Sequence, residues 1–130
     1  MAMRLTNAAA SAAANGTGLR SYIGTTPKLI FYTGNVNANA ELAPAGDVLA
    51  TVTVGNFGAA SNGVITSTGG SATAATGTVG CWALFKTDGT TKVSDGTAGE
   101  GTGDISFDET AWLAGGTVSV GTFTLTVPPG

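Results

Sequence analysis

Chemistry in this chain would have to begin from its ionisable side chains, and they are few. The 130 residues hold five Lys or Arg, eight Asp or Glu, one Cys and no His, for a formal net charge of −3. Without histidine the commonest general base is missing, and neither a Ser-His nor a Cys-His nucleophile pair can be assembled. Paired carboxylates are the remaining route to acid–base work. Asp104 and Asp108 fall on one parity, with Glu109 following. On an extended strand they would project from one face roughly 13 Å apart, too far for either glycosidase geometry. Solvated positions on the polar face of a strand account for them better. Asp95, Glu100 and Asp104 border a Gly-rich stretch; oxygen-rich loops take hard cations such as calcium, but the ligand order of an EF-hand is absent. Gly99-Glu100-Gly101-Thr102-Gly103 has loose glycine spacing without the strand and helix that a phosphate cradle needs. Cys81 has no disulfide partner and no company for zinc; it lies in an apolar run, so a buried, inert thiol is expected. The expectation is a chain that is not an enzyme, with no metal and no cofactor.

What remains is surface chemistry. Arg4, Arg20, Lys28, Lys86 and Lys92 are scattered, with no basic stripe to neutralise a row of phosphates, so nucleic acid is not an expected partner. No stretch approaches the roughly 18 apolar residues of a membrane helix. The alanine run after Arg4 lacks the Leu or Phe core of a secretory signal, which points to synthesis in the cytoplasm. Charged residues make up 10% of the chain, against roughly 25% in an average soluble domain. Few charges mean little electrostatic cost when wide surfaces are buried against a partner. Trp112 falls outside a clear strand and is either a plug over one end of the fold or an interface anchor. Tyr22 is open to the same two readings. Arg4, Leu5, Arg20, Tyr22 and Trp112 are the candidate interface residues.

The elements that would position these groups are mostly strands. Thr6-Asn7 followed by alanines and closed by Asn15-Gly16 is the only helix signal: a capped, alanine-rich turn sequence with no large apolar face. Residues 1–27 are therefore expected as an N-terminal arm or short helix whose order depends on a neighbour, and 28–130 as a β domain. Lys28–Thr33 is a compact apolar run. In 48–54 strict alternation puts Val48, Ala50, Val52 and Val54 on one face and Leu49, Thr51 and Thr53 on the other. A short strand is expected over 63–68. Residues 78–87 are apolar on both parities, with Val79, Cys81, Ala83 and Phe85 opposed to Trp82 and Leu84, which predicts a central strand covered on both faces. Asp88-Gly89 reads as a hairpin turn leading into a return strand over 90–94. A strand over 104–108 would turn Ile105 and Phe107 inward. Residues 68–76 and 97–103 read as surface loops.

In the last strand, 117–127, apolar parity changes between Val118 and Val120 on one side of Gly121-Thr122 and Phe123, Leu125 and Val127 on the other. That predicts a β-bulge or sharp bend at Gly121, or passage from one sheet to another. About seven or eight short strands separated by turn signals predict an all-β fold, a two-sheet β-sandwich or jelly roll.

One further feature is the order of segments: Arg4-Leu5-Thr6-Asn7-Ala8-Ala9-Ala10, Leu29-Ile30-Phe31-Tyr32-Thr33-Gly34, Leu49-Ala50-Thr51-Val52, Gly80-Cys81-Trp82-Ala83-Leu84-Phe85 with Asp88-Gly89-Thr90-Thr91, and Gly115-Gly116-Thr117-Val118-Ser119-Val120 through Val127-Pro128. It resembles the small virion proteins encoded among the head genes of tailed bacteriophages, and is similar to capsid decoration (cement) proteins. The resemblance implies a β-sandwich or jelly roll on the outside of a capsid. Its partners would be the major capsid protein and copies of itself, as dimers or trimers bridging capsomers. Many repeated weak contacts then add up to firm attachment. A tail, connector or head-fibre component is the alternative within that class. A carbohydrate- or receptor-binding β-module using Trp112 or Tyr22 is the alternative outside it.

Overall fold

The structure is a computed structural model, and it describes residues 4–14, 22–35, 41–42, 44–58, 64–100, 105–107, 110–121 and 123–126. Their element order is β1 (Arg4–Leu5), α1 (Asn7–Ala14), β2 (Lys28–Thr33), β3 (Val48–Thr53), β4 (Val64–Ser67), β5 (Gly70–Thr73), β6 (Gly77–Phe85), β7 (Lys92–Glu100), β8 (Ile105–Phe107), β9 (Ala111–Trp112), β10 (Thr117–Val120) and β11 (Phe123–Thr126). The fold is all-β and largely antiparallel. The main sheet runs β1-β7-β6-β2-β3, with β8 parallel to β7 and β9 pairing the start of β6. β10 pairs β5, and β11 pairs β4, as two short ladders.

β6 is central, as its two apolar faces demand. Trp82 and Leu84 join Leu29, Phe31, Val52 and Val93 in one cluster; Cys81, Ala83 and Phe85 join Ile30 and Tyr32 in a second. Strict alternation would put Val79 with Cys81, but Val79 belongs to the first cluster. The β2–β6 register shifts between Tyr32↔Cys81 and Thr33↔Val79, so Gly80 is an extra residue that reverses the faces. A side chain there would lie 2.0 Å from the Gly34 carbonyl oxygen.

The same device corrects the expected facing of β3. Phe31 pairs Ala50 but Tyr32 pairs Val48, which leaves Leu49 as the extra residue. Leu49 is therefore buried at 3% exposure and Val48 stands out at 52%. Two expected loops are also strands in part: β5 lies within 68–76, and β7 runs on to Glu100. Glycine there serves close approach rather than looseness. A Cβ on Gly70 would sit 2.3 Å from the Thr53 carbonyl oxygen.

The change of parity near Gly121 has a physical cause that spans two strands. Val120 pairs Gly70, and Phe123 pairs Ser67, so the register is continuous and no residue is inserted. The partner strand changes face at the same level: Ile65 and Ser67 are buried before Gly69, Ala74 after it. Gly69 turns the chain at φ 80°. The buried Ser67 hydroxyl donates to the Gly55 carbonyl at 2.7 Å and accepts from the Gly69 N–H at 3.2 Å. Of the alternatives expected at Gly121, the bulge is absent: two paired strands bend together, with Gly69 at the turn, and the chain passes there from the β5–β10 ladder to the β4–β11 ladder. Both ladders contribute Ile65, Val118 and Phe123 to the cluster that covers one face of the main sheet.

The N-terminal segment is pinned within the chain. β1 pairs β7, the Thr6 N–H donates to the Val93 carbonyl at 2.9 Å, and Ala9 is fully buried. Thr6 caps α1, its hydroxyl accepting from the Ala9 N–H at 3.3 Å. Asn15 and Gly16, the expected stop, lie outside the described residues, as do Asp104, Asp108 and Glu109.

Candidate functional site

Among the described residues, Arg4, Asp88, Lys92 and Asp95 are engaged in holding the fold. Asp95, fully buried on β7, accepts from Arg4 Nε at 2.7 Å on one oxygen and from Arg4 Nη2 at 2.5 Å and Lys92 Nζ at 2.8 Å on the other. Lys92 also donates to the Leu42 carbonyl at 2.6 Å, and the Ser94 hydroxyl donates to the Arg4 carbonyl at 2.6 Å. A carboxylate with two cations is a satisfied buried charge, not a metal ligand awaiting an ion. Among the described residues no group of three His, Cys, Asp or Glu is placed to hold a metal. Asp88 accepts from the Thr91 hydroxyl at 2.6 Å and from the Thr90 and Thr91 N–H groups at 2.9 Å each, closing the β6–β7 hairpin. The Thr91 hydroxyl first, and then these amides, hold its carboxyl down at about 2. Burial, and secondly the charge of Asp95, push the Cys81 thiol up to about 11. Burial, and secondly Cys81, push the Tyr32 phenol up to about 12.

Of the sequence-derived interface residues, Arg4 is spent on Asp95, and Leu5 packs against the main cluster. Tyr22 packs there too, with Lys86 Nζ 4.4 Å above its ring centroid. Arg20 lies outside the described residues. Trp112 packs against the same cluster. Its ring meets Phe31 edge-on at 5.7 Å and Phe107 at 5.2 Å, while Phe31 and Phe107 meet at 5.3 Å. Phe107 and Trp112 wall a cleft of about 440 Å³ lined also by Ala74, Leu113, Thr117, Val118 and Ser119 among others. The Ala114-Gly115-Gly116 turn, with Gly115 at φ 89°, carries the chain from one wall to the other. Leu113 projects at its rim, 75% exposed.

No protein-family model, curated protein or solved structure matches the chain.

The cleft's second wall is β10, and sequence reasoning overlooked its edge. Thr117 and Ser119 are exposed, and β10 has β5 as its ladder partner on one side. The available signal was an uncharged strand, Thr117-Val118-Ser119-Val120, with neither Lys nor Pro to guard it. The cleft is lined by aromatic, aliphatic and hydroxyl groups, which suits apposition of an uncharged surface.

Proposed function

We propose that the chain is a non-enzymatic virion structural protein, a capsid decoration or cement protein that binds the outside of a phage head and stabilises it. In this reading the strands form a two-sheet sandwich or jelly roll. Its partners are the major capsid protein and further copies of itself, and it is made in the host cytoplasm. The observation that carries the reading is an all-β body that exposes large apolar side chains on a sparsely charged surface: Leu113 at 75%, Leu42 at 54% and Val48 at 52%. Such positions lose little electrostatically and gain hydrophobic contact when a shell covers them. The sequence resemblance to head-gene products points the same way. Quantitative mass spectrometry of purified particles tests it. Hundreds of copies per head, and heads that fail at lower temperature or osmotic stress without the protein, are expected. Six or twelve copies would assign it to a connector or tail, and absence from particles would remove the reading.

The cleft favours one second reading, a carbohydrate- or receptor-binding module, because an aromatic ring beside the Thr117 and Ser119 hydroxyls is suited to a sugar. Trp112→Ala separates the two. Loss of its edge-on contacts to Phe31 and Phe107 should cost about 3 kcal/mol of stability in chemical denaturation. Glycan-array binding by the wild type that vanishes in Trp112→Ala would favour the second reading.

A further inference from the structure

We infer that β10 is a self-pairing edge: two copies of this chain join antiparallel, β10 to β10, about a two-fold axis at Val118. The phase of the β5–β10 ladder sets which groups are free. The Ala74 N–H donates to the Gly116 carbonyl at 2.8 Å, and the Ala74 carbonyl accepts from the Gly115 N–H at 3.0 Å, so the Gly116 carbonyl faces β5. Alternation along an antiparallel ladder then turns Val118 and Val120 toward β5, and turns the N–H and C=O of Thr117 and Ser119 away from it. The other side of β5 agrees, because the Ala75 N–H faces β3 and donates to the Leu49 carbonyl at 2.8 Å. Among the described residues no hydrogen bond reaches the main chain of Thr117 or Ser119 from the outer side.

These outward groups are complementary to themselves. With Val118 on the axis, Thr117 of one copy faces Ser119 of the other, and each of the two equivalent pairs exchanges both main-chain bonds. A small-molecule ligand would not satisfy a row of alternating donors and acceptors at strand spacing; another strand does. The edge carries none of the devices that keep edges apart, having no charge, no proline and no bulge across Thr117–Val120. Leu113, exposed beside it, gains cover when the second copy docks. The inference rests on the self-association within the proposed function and specifies its surface; it does not depend on where the assembly sits in a particle.

The test is sedimentation-based mass measurement of the full chain, by analytical ultracentrifugation, across a concentration series. The wild type is expected to dimerise, with Thr117 and Ser119 amides gaining protection from hydrogen exchange as concentration rises. Ser119→Pro removes an outward N–H that β5 does not use, and should leave the fold intact while weakening the dimer about tenfold or more. Should that variant fail to fold, a charge pair carries the test. T117K/S119K sets like charges opposite each other and should dissociate the dimer, whereas T117K/S119E sets Lys opposite Glu and should restore it. A wild type that stays monomeric to about 1 mM overturns both this interface and self-association, leaving copy number in particles to judge the virion reading. A dimer indifferent to all three variants overturns the interface alone.

Discussion

At the scale of single residues, the behaviour of Asp88 and Asp95 follows from their partners. Asp88 ionises at about 2 because the Thr91 hydroxyl and the neighbouring amides favour its charged form. A depressed carboxyl contributes above its unfolded value and loses that contribution as pH falls through the folded one, here between about 4 and 2. Thr91→Val should therefore move the Asp88 carboxyl, followed by NMR titration, upward toward the ordinary carboxylate range. Asp95 gives a larger effect. Asp95→Ala strands the buried Lys92 ammonium and should cost about 3–5 kcal/mol in urea denaturation. Arg4→Ala leaves Asp95 paired with Lys92 and should cost about 1–3 kcal/mol, with faster amide exchange confined to Leu5 and Thr6. The sequence marked Asp95 as an acidic residue bordering a loop. Its true surroundings were illegible because Arg4 lies 91 positions away along the chain.

At the scale of elements, glycine decides where strands change face. Gly69 holds φ 80°, and a Cβ there would fall 1.9 Å from the Gly121 carbonyl oxygen. Gly121, where the apolar parity breaks in the sequence, has open space around a would-be Cβ. Gly69→Ala should thus destabilise by about 3 kcal/mol or more, whereas Gly121→Ala should stay within about 0.5 kcal/mol; thermal or chemical unfolding of both variants measures the contrast. The parity change itself was legible, since Val118 and Phe123 cannot share a face of a regular strand. The residue responsible was not, because the bend belongs to a pair of strands and only pairing shows which glycine is crowded. Likewise β2 and β6 were plain from their compact apolar runs. The extra residues at Leu49 and Gly80 were not, since a bulge is defined by the partner's register.

At the scale of the molecule, the main sheet is buried on both faces at its centre, and its second cluster includes two groups that resist ionisation. Cys81 and Tyr32 stay neutral in the folded chain up to about 11 and about 12. The unfolded chain ionises them earlier, from about pH 9 upward. Their contribution to stability is full below that value and is lost as pH rises through the folded values. Unfolding midpoints should accordingly be steady from neutrality to about pH 9 and fall above it, and Tyr32→Phe should flatten the upper part of that fall. A thiol reagent at pH 8 should leave Cys81 unmodified in the native chain and label it on unfolding. The all-β character, the central strand, the hairpin at Asp88-Gly89 and a capped helix starting near Thr6-Asn7 were legible in the sequence, because each depends on side-chain period, turn chemistry or capping within a few residues. The Arg4–Asp95–Lys92 cluster, the aromatic triad of Phe31, Phe107 and Trp112, the cleft beside Phe107 and Trp112, and the side of β10 turned away from β5 were decided only by the tertiary structure. Each is a relation between residues distant in the chain, created when strands choose neighbours and register, and no local pattern encodes that choice.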